Sequence, residues 1–254
     1  MGKIIAIGGG HIGETIGETT YPITTWKIDR EIIKLSGQKH PKLLFIPTAS
    51  SDSQNYIDTI KTHFEKRLKC DVEVLYLIKE KPSHSIIKNK ILSSDIIYVG
   101  GGNTLKMMNI WKKLGVDKIL VHAYKKGIVM SGLSAGSICW FKYGNSDSRK
   151  FTSGSDRLIK VSGLGLVDAL CCPHYDTEIH RQKDIKRMMK ITPKIIAVAL
   201  ENDCAIEIID DKYRIITSQK NKNAYKIYWK SNRYYKTPIS KDNKFRPLKG
   251  LLSK

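Results

Sequence analysis

The stretch Gly127-Ile128-Val129-Met130-Ser131 runs without a break into Gly132-Leu133-Ser134-Ala135-Gly136. A short apolar run that ends in two glycines flanking a serine leaves few folds open. The run reads as a buried strand. The pentapeptide fits G-x-S-x-G, a sharp strand-to-helix turn that lifts a serine hydroxyl out of the end of a sheet. Small residues let the chain reverse there without striking the neighbouring strand or the following helix. A helix beginning just after Ser134 also points unpaired N–H groups at the place where an oxyanion would form. Taken alone, the pattern is met equally well by a glycine-rich turn with an incidental serine.

Upstream, apolar runs at 3–7, 42–46, 71–77 and 95–99 alternate with helical patterns at 29–35, 54–68, 83–92, from 105 onward and at 117–126. Continuously apolar strands alternating with helices predict an α/β fold with a mostly parallel central sheet, covered on both faces in three layers. Ligands of such sheets bind beyond the carboxyl ends of the strands. Four turns should converge there: 8–15, 47–53, 100–104 and 132–136. Residues 11–26 read as a polar, threonine-rich loop. After residue 140 come strand-like runs at 164–172 and 194–200, a basic helix at 178–191, and three consecutive antiparallel strands within 204–229. Residues 1–230 are expected to form one catalytic domain, and 231–254 a basic C-terminal tail.

The 254 residues suffice for one large core. No apolar run has the length of a membrane span, and residues 1–8 read as a first strand, not a signal peptide. The expected location is the cytoplasm. Five cysteines at 70, 139, 171, 172 and 204 contain no C-x-x-C, which argues against a disulfide framework or a zinc site. No metal and no cofactor are expected: neither glycine turn fits G-x-G-x-x-G, and no phosphate-loop signature is present. The formal net charge of +20 raises a nucleic-acid partner. Its lysines are scattered and no nucleic-acid motif accompanies them, so a solvated surface is favoured.

A nucleophilic serine needs a base, usually histidine. His40, His63, His84 and His122 read as surface residues, and His180 lies on the basic helix. His11 follows the first glycine turn and is the second choice. His174 is preferred, because it follows an apolar run and Pro173 at the carboxyl end of a strand. For the acid, Asp147, Asp176, Glu178 and Glu201 compete. The Ala135 N–H would serve an oxyanion, with Gly101 or Gly102 supplying a second donor.

Three separated motifs, Gly100-Gly101-Gly102-Asn103-Thr104, Gly132-Leu133-Ser134-Ala135-Gly136 and Pro173-His174-Tyr175, together resemble the dipeptidase E (peptidase E, aspartyl dipeptidase) family over residues 5–210. The resemblance implies a class I glutamine amidotransferase-like, flavodoxin-like fold with added C-terminal antiparallel strands. It implies a serine peptidase hydrolysing short peptides, as a monomer or homodimer. By the same resemblance Ser134 is the nucleophile, His174 the base and Asp147 the acid; read from the residues, Glu201 and Asp176 stay open as alternatives. Gly102 and Ala135 would form the oxyanion hole. Asn103, Thr104 and Arg181 would bind substrate, Arg181 in the place where the family keeps an arginine for an acidic side chain. The chain departs from the best-known dipeptidases in a shorter insertion between His174 and Arg181, and in Leu133 where they tend to carry tryptophan. Both changes fall near the specificity pocket, so a preference for N-terminal aspartate is not carried over. A ligand-binding or regulatory protein of the amidotransferase-like fold is the alternative.

Overall fold

Residues Lys3–Ile7 form a strand through the centre of the molecule. Its side chains alternate between two apolar layers, Ile4 and Ala6 in one and Ile5 and Ile7 in the other, as the two-residue period of a strand requires. The computed structural model, which describes residues 2–177 and 179–254, places this strand within an eight-stranded sheet. Across the sheet the order is Arg246–Pro247, Lys212–Thr217, Cys204–Ile209, Lys3–Ile7, Val129–Leu133, Ile96–Val99, Lys42–Ile46 and Asp71–Val74. The last five run parallel, and Cys204–Ile209 is antiparallel to the first strand.

Helices cover both faces. Trp26–Ser36 and Gln54–Ile60 bury Ile28, Ile32, Ile57 and Ile60 with Ile5 and Ile7. The second of these continues as a π-helical segment, Lys61–Arg67. His84–Leu92, Thr104–Leu114 and Val116–Lys125 bury Ile87, Met107, Trp111 and Leu120 on the opposite face. The expected α/β sandwich with parallel strands at its centre is therefore present.

Four local expectations change. Six of the strands after the elbow form a second sheet, ordered Arg233–Pro238, Ala224–Lys230, Ala197–Leu200, Val167–Cys172, Phe141–Ser146 and Ile159–Ser162. The three antiparallel strands expected in succession are split. Cys204–Ile209 pairs with Lys212–Thr217, whereas Ala224–Lys230 pairs with Ala197–Leu200 in the other sheet. The basic segment 231–254 is no free tail. Arg233–Pro238 and Arg246–Pro247 each edge one sheet, because Ile239 and Leu251, both buried, anchor a run whose lysines face water. Residues 11–26 are not a plain loop: Thr15–Ile16 pairs with Thr19–Thr20, and Ile12 bridges Ile23. Among the described residues no helix is long and apolar enough to cross a membrane.

Candidate active site

The four turns do converge. A cleft of about 360 Å³ is lined by Gly10, Ile12 and Glu14 from the first turn, Ser53 from the second, Gly101 from the third, and Leu133 and Ser134 from the fourth. His174 borders it as well, and Tyr56 and the Thr15–Ile16 strand complete its walls.

Ser134 sits at φ 56° and ψ −113°. A positive φ is uncommon for a residue with a side chain, and this ψ lies outside the small left-handed well. The surroundings hold the serine there. The Ser134 N–H donates to the Ile7 carbonyl at 3.2 Å, and the Ser134 carbonyl accepts from Ser137 and Ile138, each at 3.0 Å, to start the next helix. Both flanking glycines are dictated by the neighbouring strand. A Cβ on Gly136 would lie 2.0 Å from the Val99 carbonyl oxygen, and one on Gly132 would lie 2.3 Å from it. As the first helical residue, Ala135 has no carbonyl one turn back to receive its N–H.

His174 is fixed by the same turn. Its N–H donates to the Gly8 carbonyl at 2.9 Å, one residue beyond the carbonyl that holds Ser134. The Gly9 carbonyl in turn accepts from Asp203 at 2.9 Å. Three successive carbonyls thus tie Ser134, His174 and the 201–203 turn to one point. His174 also has positive φ, 52°. Gly8 and Gly9 are needed for the approach: a Cβ on Gly8 would meet the Glu201 carbonyl at 2.2 Å, and one on Gly9 would meet Asn202 Oδ1 at 2.2 Å and His174 Nδ1 at 2.4 Å.

The partner of His174 Nδ1 is Asn202, whose Oδ1 lies 2.8 Å away. None of the expected acids takes that place among the described residues. Asp147 does not line the cleft; it lies between Ser146 and Ser148, whose hydroxyls bond each other at 2.8 Å while Ser148 Oγ accepts the Leu105 N–H at 3.0 Å. That loop is drawn to the start of the Thr104–Leu114 helix. Glu201 follows the strand Ala197–Leu200 but turns outward, accepting the Asn223 N–H at 2.8 Å and the Tyr225 hydroxyl at 3.1 Å. Asp176 acts one step behind. It accepts the Asn202 N–H at 2.9 Å and the Lys222 ammonium at 2.5 Å. Burial alone would push the Asp176 carboxyl up, but Lys222 and the Asn202 N–H outweigh it and hold it below the usual carboxylate range. Glu178 lies outside the described residues.

A second donor was expected from Gly101 or Gly102, and the structure distinguishes the two. The Gly101 N–H donates to Tyr56 Oη at 3.2 Å. Tyr56 is half-buried, and desolvation of its phenol pushes the pKa up to about 12 and keeps it neutral. Among the described residues no acceptor takes the Gly102 N–H. Gly102 faces an adjoining cleft of about 920 Å³, and Ser53 borders both. Gly102 must be glycine: it has φ 132°, and a Cβ would lie 2.3 Å from the Ala49 carbonyl.

The predicted substrate contacts fare unevenly. Asn103 borders the adjoining cleft, but its Oδ1 caps the following helix by accepting the Lys106 N–H at 3.0 Å. Thr104 is buried. Arg181 is 1 % exposed and points into the protein, with Nη1 donating to the Asn145 carbonyl at 2.6 Å. A buried guanidinium must spend its donors on fixed acceptors, and Arg181 does not line this cleft. His63, read as a surface residue, is instead buried with Nε2 2.8 Å from Asp29 Oδ2.

Asn202, Tyr56 and Glu14 were not singled out in the sequence. Asn202 carried a usable signal, since it follows a strand whose carboxyl end is at the site. Glu14 carried none, because the hairpin that presents it has no apolar alternation.

Residues 4–216 match the model of peptidase family S51. The chain is 33 % identical over 240 residues to an uncharacterized peptidase, YgaJ, of Bacillus subtilis strain 168, covering 94 % of this chain and 97 % of that one. It is 28 % identical over 180 residues to an uncharacterized peptidase, Lin0382, of Listeria innocua, covering 70 % and 84 % respectively. In three dimensions it resembles the crystal structure of a peptidase from an acI-B1 Actinobacterium, with TM-score 0.71, 15 % identity, and coverage of 97 % and 96 %.

Proposed function

We propose that this chain, which belongs to peptidase family S51, cleaves short peptides with Ser134 as nucleophile and His174 as general base. Membership makes it a peptidase of the serine type, and the resemblance to dipeptidase E is that of a relative within this family. The observation that carries the proposal is the shared suspension of Ser134 and His174 from the consecutive carbonyls of Ile7 and Gly8, both side chains bordering one cleft.

With Nδ1 facing Asn202 Oδ1, the neutral ring that donates there carries its lone pair on Nε2, where it can take a proton. As Ser134 Oγ attacks the peptide carbonyl, its proton passes to His174 Nε2. The carbonyl oxygen gains the negative charge and rests on the N–H groups of Ala135 and Gly102. His174 then gives the proton to the leaving amine as the C–N bond breaks, and water hydrolyses the acyl-enzyme by the same route. Asn202 orients the ring as a triad carboxylate would. Being neutral, it offers less stabilisation to the imidazolium, and Asp176 fixes its backbone. The cleft volume of about 360 Å³ fits a short peptide better than a folded chain.

A screen of the purified protein against a dipeptide and tripeptide library tests the proposal. Turnover that vanishes in Ser134→Ala, with the fold retained, is the expected result. Equal turnover in that variant rejects it.

A further inference from the structure

The catalytic cleft has a charge opposite to the one the family resemblance implies. The chain carries 44 lysines and arginines against 24 acids, yet among the described residues no lysine or arginine lines the cleft. Apart from His174, the charged side chain that lines it among the described residues is Glu14. Arg181, expected to receive an acidic side chain, is buried against Asn145.

Glu14 is held in position before any ligand arrives. Its Oε1 pairs with His11 Nδ1 at 2.5 Å and its Oε2 accepts the Ile12 N–H at 2.8 Å. Its carbonyl accepts from Tyr21 across the hairpin at 2.9 Å. His11 is itself stacked on Tyr21, with ring centroids 4.4 Å apart. The Glu14 side chain is 21 % exposed, so its charge is less screened than that of a free surface acid. A carboxylate has about four acceptor positions, and two are in use. Ile12, Ile16, Tyr56 and Leu133 line the same cleft. They offer apolar surface to an aliphatic stem that ends in a charge.

Resting on the peptidase reading above, we infer that Glu14 receives the ammonium or guanidinium of a lysine or arginine side chain on a residue flanking the scissile bond. Glu14 is a specificity residue, and the enzyme selects basic short peptides over acidic ones.

Lysine peptides are compared with norleucine and aspartate analogues, each with and without N-acetylation, in the wild type, Glu14→Gln and His11→Gln. A hydrogen bond to a charged group implies a lysine-over-norleucine preference of about 10- to 100-fold in kcat/KM. The aspartate peptide should be the poorest of the three. Glu14→Gln should bring the lysine-to-norleucine ratio to about one, chiefly through KM. His11→Gln removes the partner and keeps the carboxylate, so it should retain the preference. If His11→Gln abolishes it equally, Glu14 only shapes the hairpin and the inference fails. It also fails if the ratio ignores Glu14 while acetylation abolishes turnover, which assigns the carboxylate to the α-ammonium. Calorimetric binding of the same peptides to Ser134→Ala separates this inference from the catalytic one. A Glu14-dependent lysine preference in binding supports it even where no peptide is cleaved, and equal binding of the three analogues overturns it.

Discussion

The two sides of the catalytic cleft are built in different ways. The floor consists of turns in which a glycine backbone meets another backbone: Gly8 against Glu201, Gly102 against Ala49, and Gly132 and Gly136 against Val99. The rim is a short hairpin, Thr15–Ile16 with Thr19–Thr20, all four residues exposed, and it presents Glu14 to the cleft. The floor has no freedom, since almost any added atom collides within it. Beyond each other, the two rim strands make few contacts with the other elements. On the proposed reading, chemistry is fixed by packing in the floor, while selectivity would rest on rim side chains that can change at little cost to the fold.

This contrast can be broken first at the nucleophile. Ser134→Ala should lower kcat by about 10⁶-fold, as loss of the serine does where a triad acts as a unit, with little change in thermal midpoint. Next comes the identity of the third residue. Asn202→Ala should cost about 10²- to 10⁴-fold in kcat, the range of a positioned acid–base group. Asp147→Ala should stay within a few-fold. If the two variants exchange these outcomes, the floor has been misassigned. Third, Gly136→Ala should destabilise the protein by about 3 kcal/mol or more, because the Val99 carbonyl belongs to a central strand and cannot give way. Chemical denaturation measures it. An alanine on the exposed turn at Gly17, where nothing lies within 4 Å of the added atom, meets no such clash.

The smallest effect concerns pH. The Asp176 carboxyl is held below its usual range, so its stabilising contribution is fully present above about pH 4, the ordinary aspartate value. That contribution is lost as pH falls through the lower folded value. Asp176→Asn should therefore be less stable than the wild type near neutrality, and the two should converge in strong acid. A constant difference at all pH values would mean that the charge of Asp176 plays no part in holding Asn202.

The floor was legible in the sequence because its constraints are local. G-x-S-x-G, the Gly100–Gly102 turn and Pro173-His174 each encode a strand end, and the alternation of apolar strands with helices brings strand ends to one edge. The companion of His174 was only half legible: Asn202 follows a strand end, but it and His174 are 28 residues apart and meet through the parallel pairing of Val167–Cys172 with Ala197–Leu200. Arg181 misled for a related reason: a guanidinium near a site has the same sequence whether it faces the ligand or Asn145. The built-in segment 231–254 was hidden by its lysines, which masked the two apolar anchors Ile239 and Leu251.

The central claim is that Ser134 is activated by His174 in this cleft. A fluorophosphonate probe with intact-mass readout and peptide mapping tests it most directly. The account predicts a single adduct on Ser134 in the wild type, none in Ser134→Ala, and labelling slowed by orders of magnitude in His174→Gln. Labelling of Ser134 at the same rate without His174, or an adduct elsewhere that persists in Ser134→Ala, would contradict it.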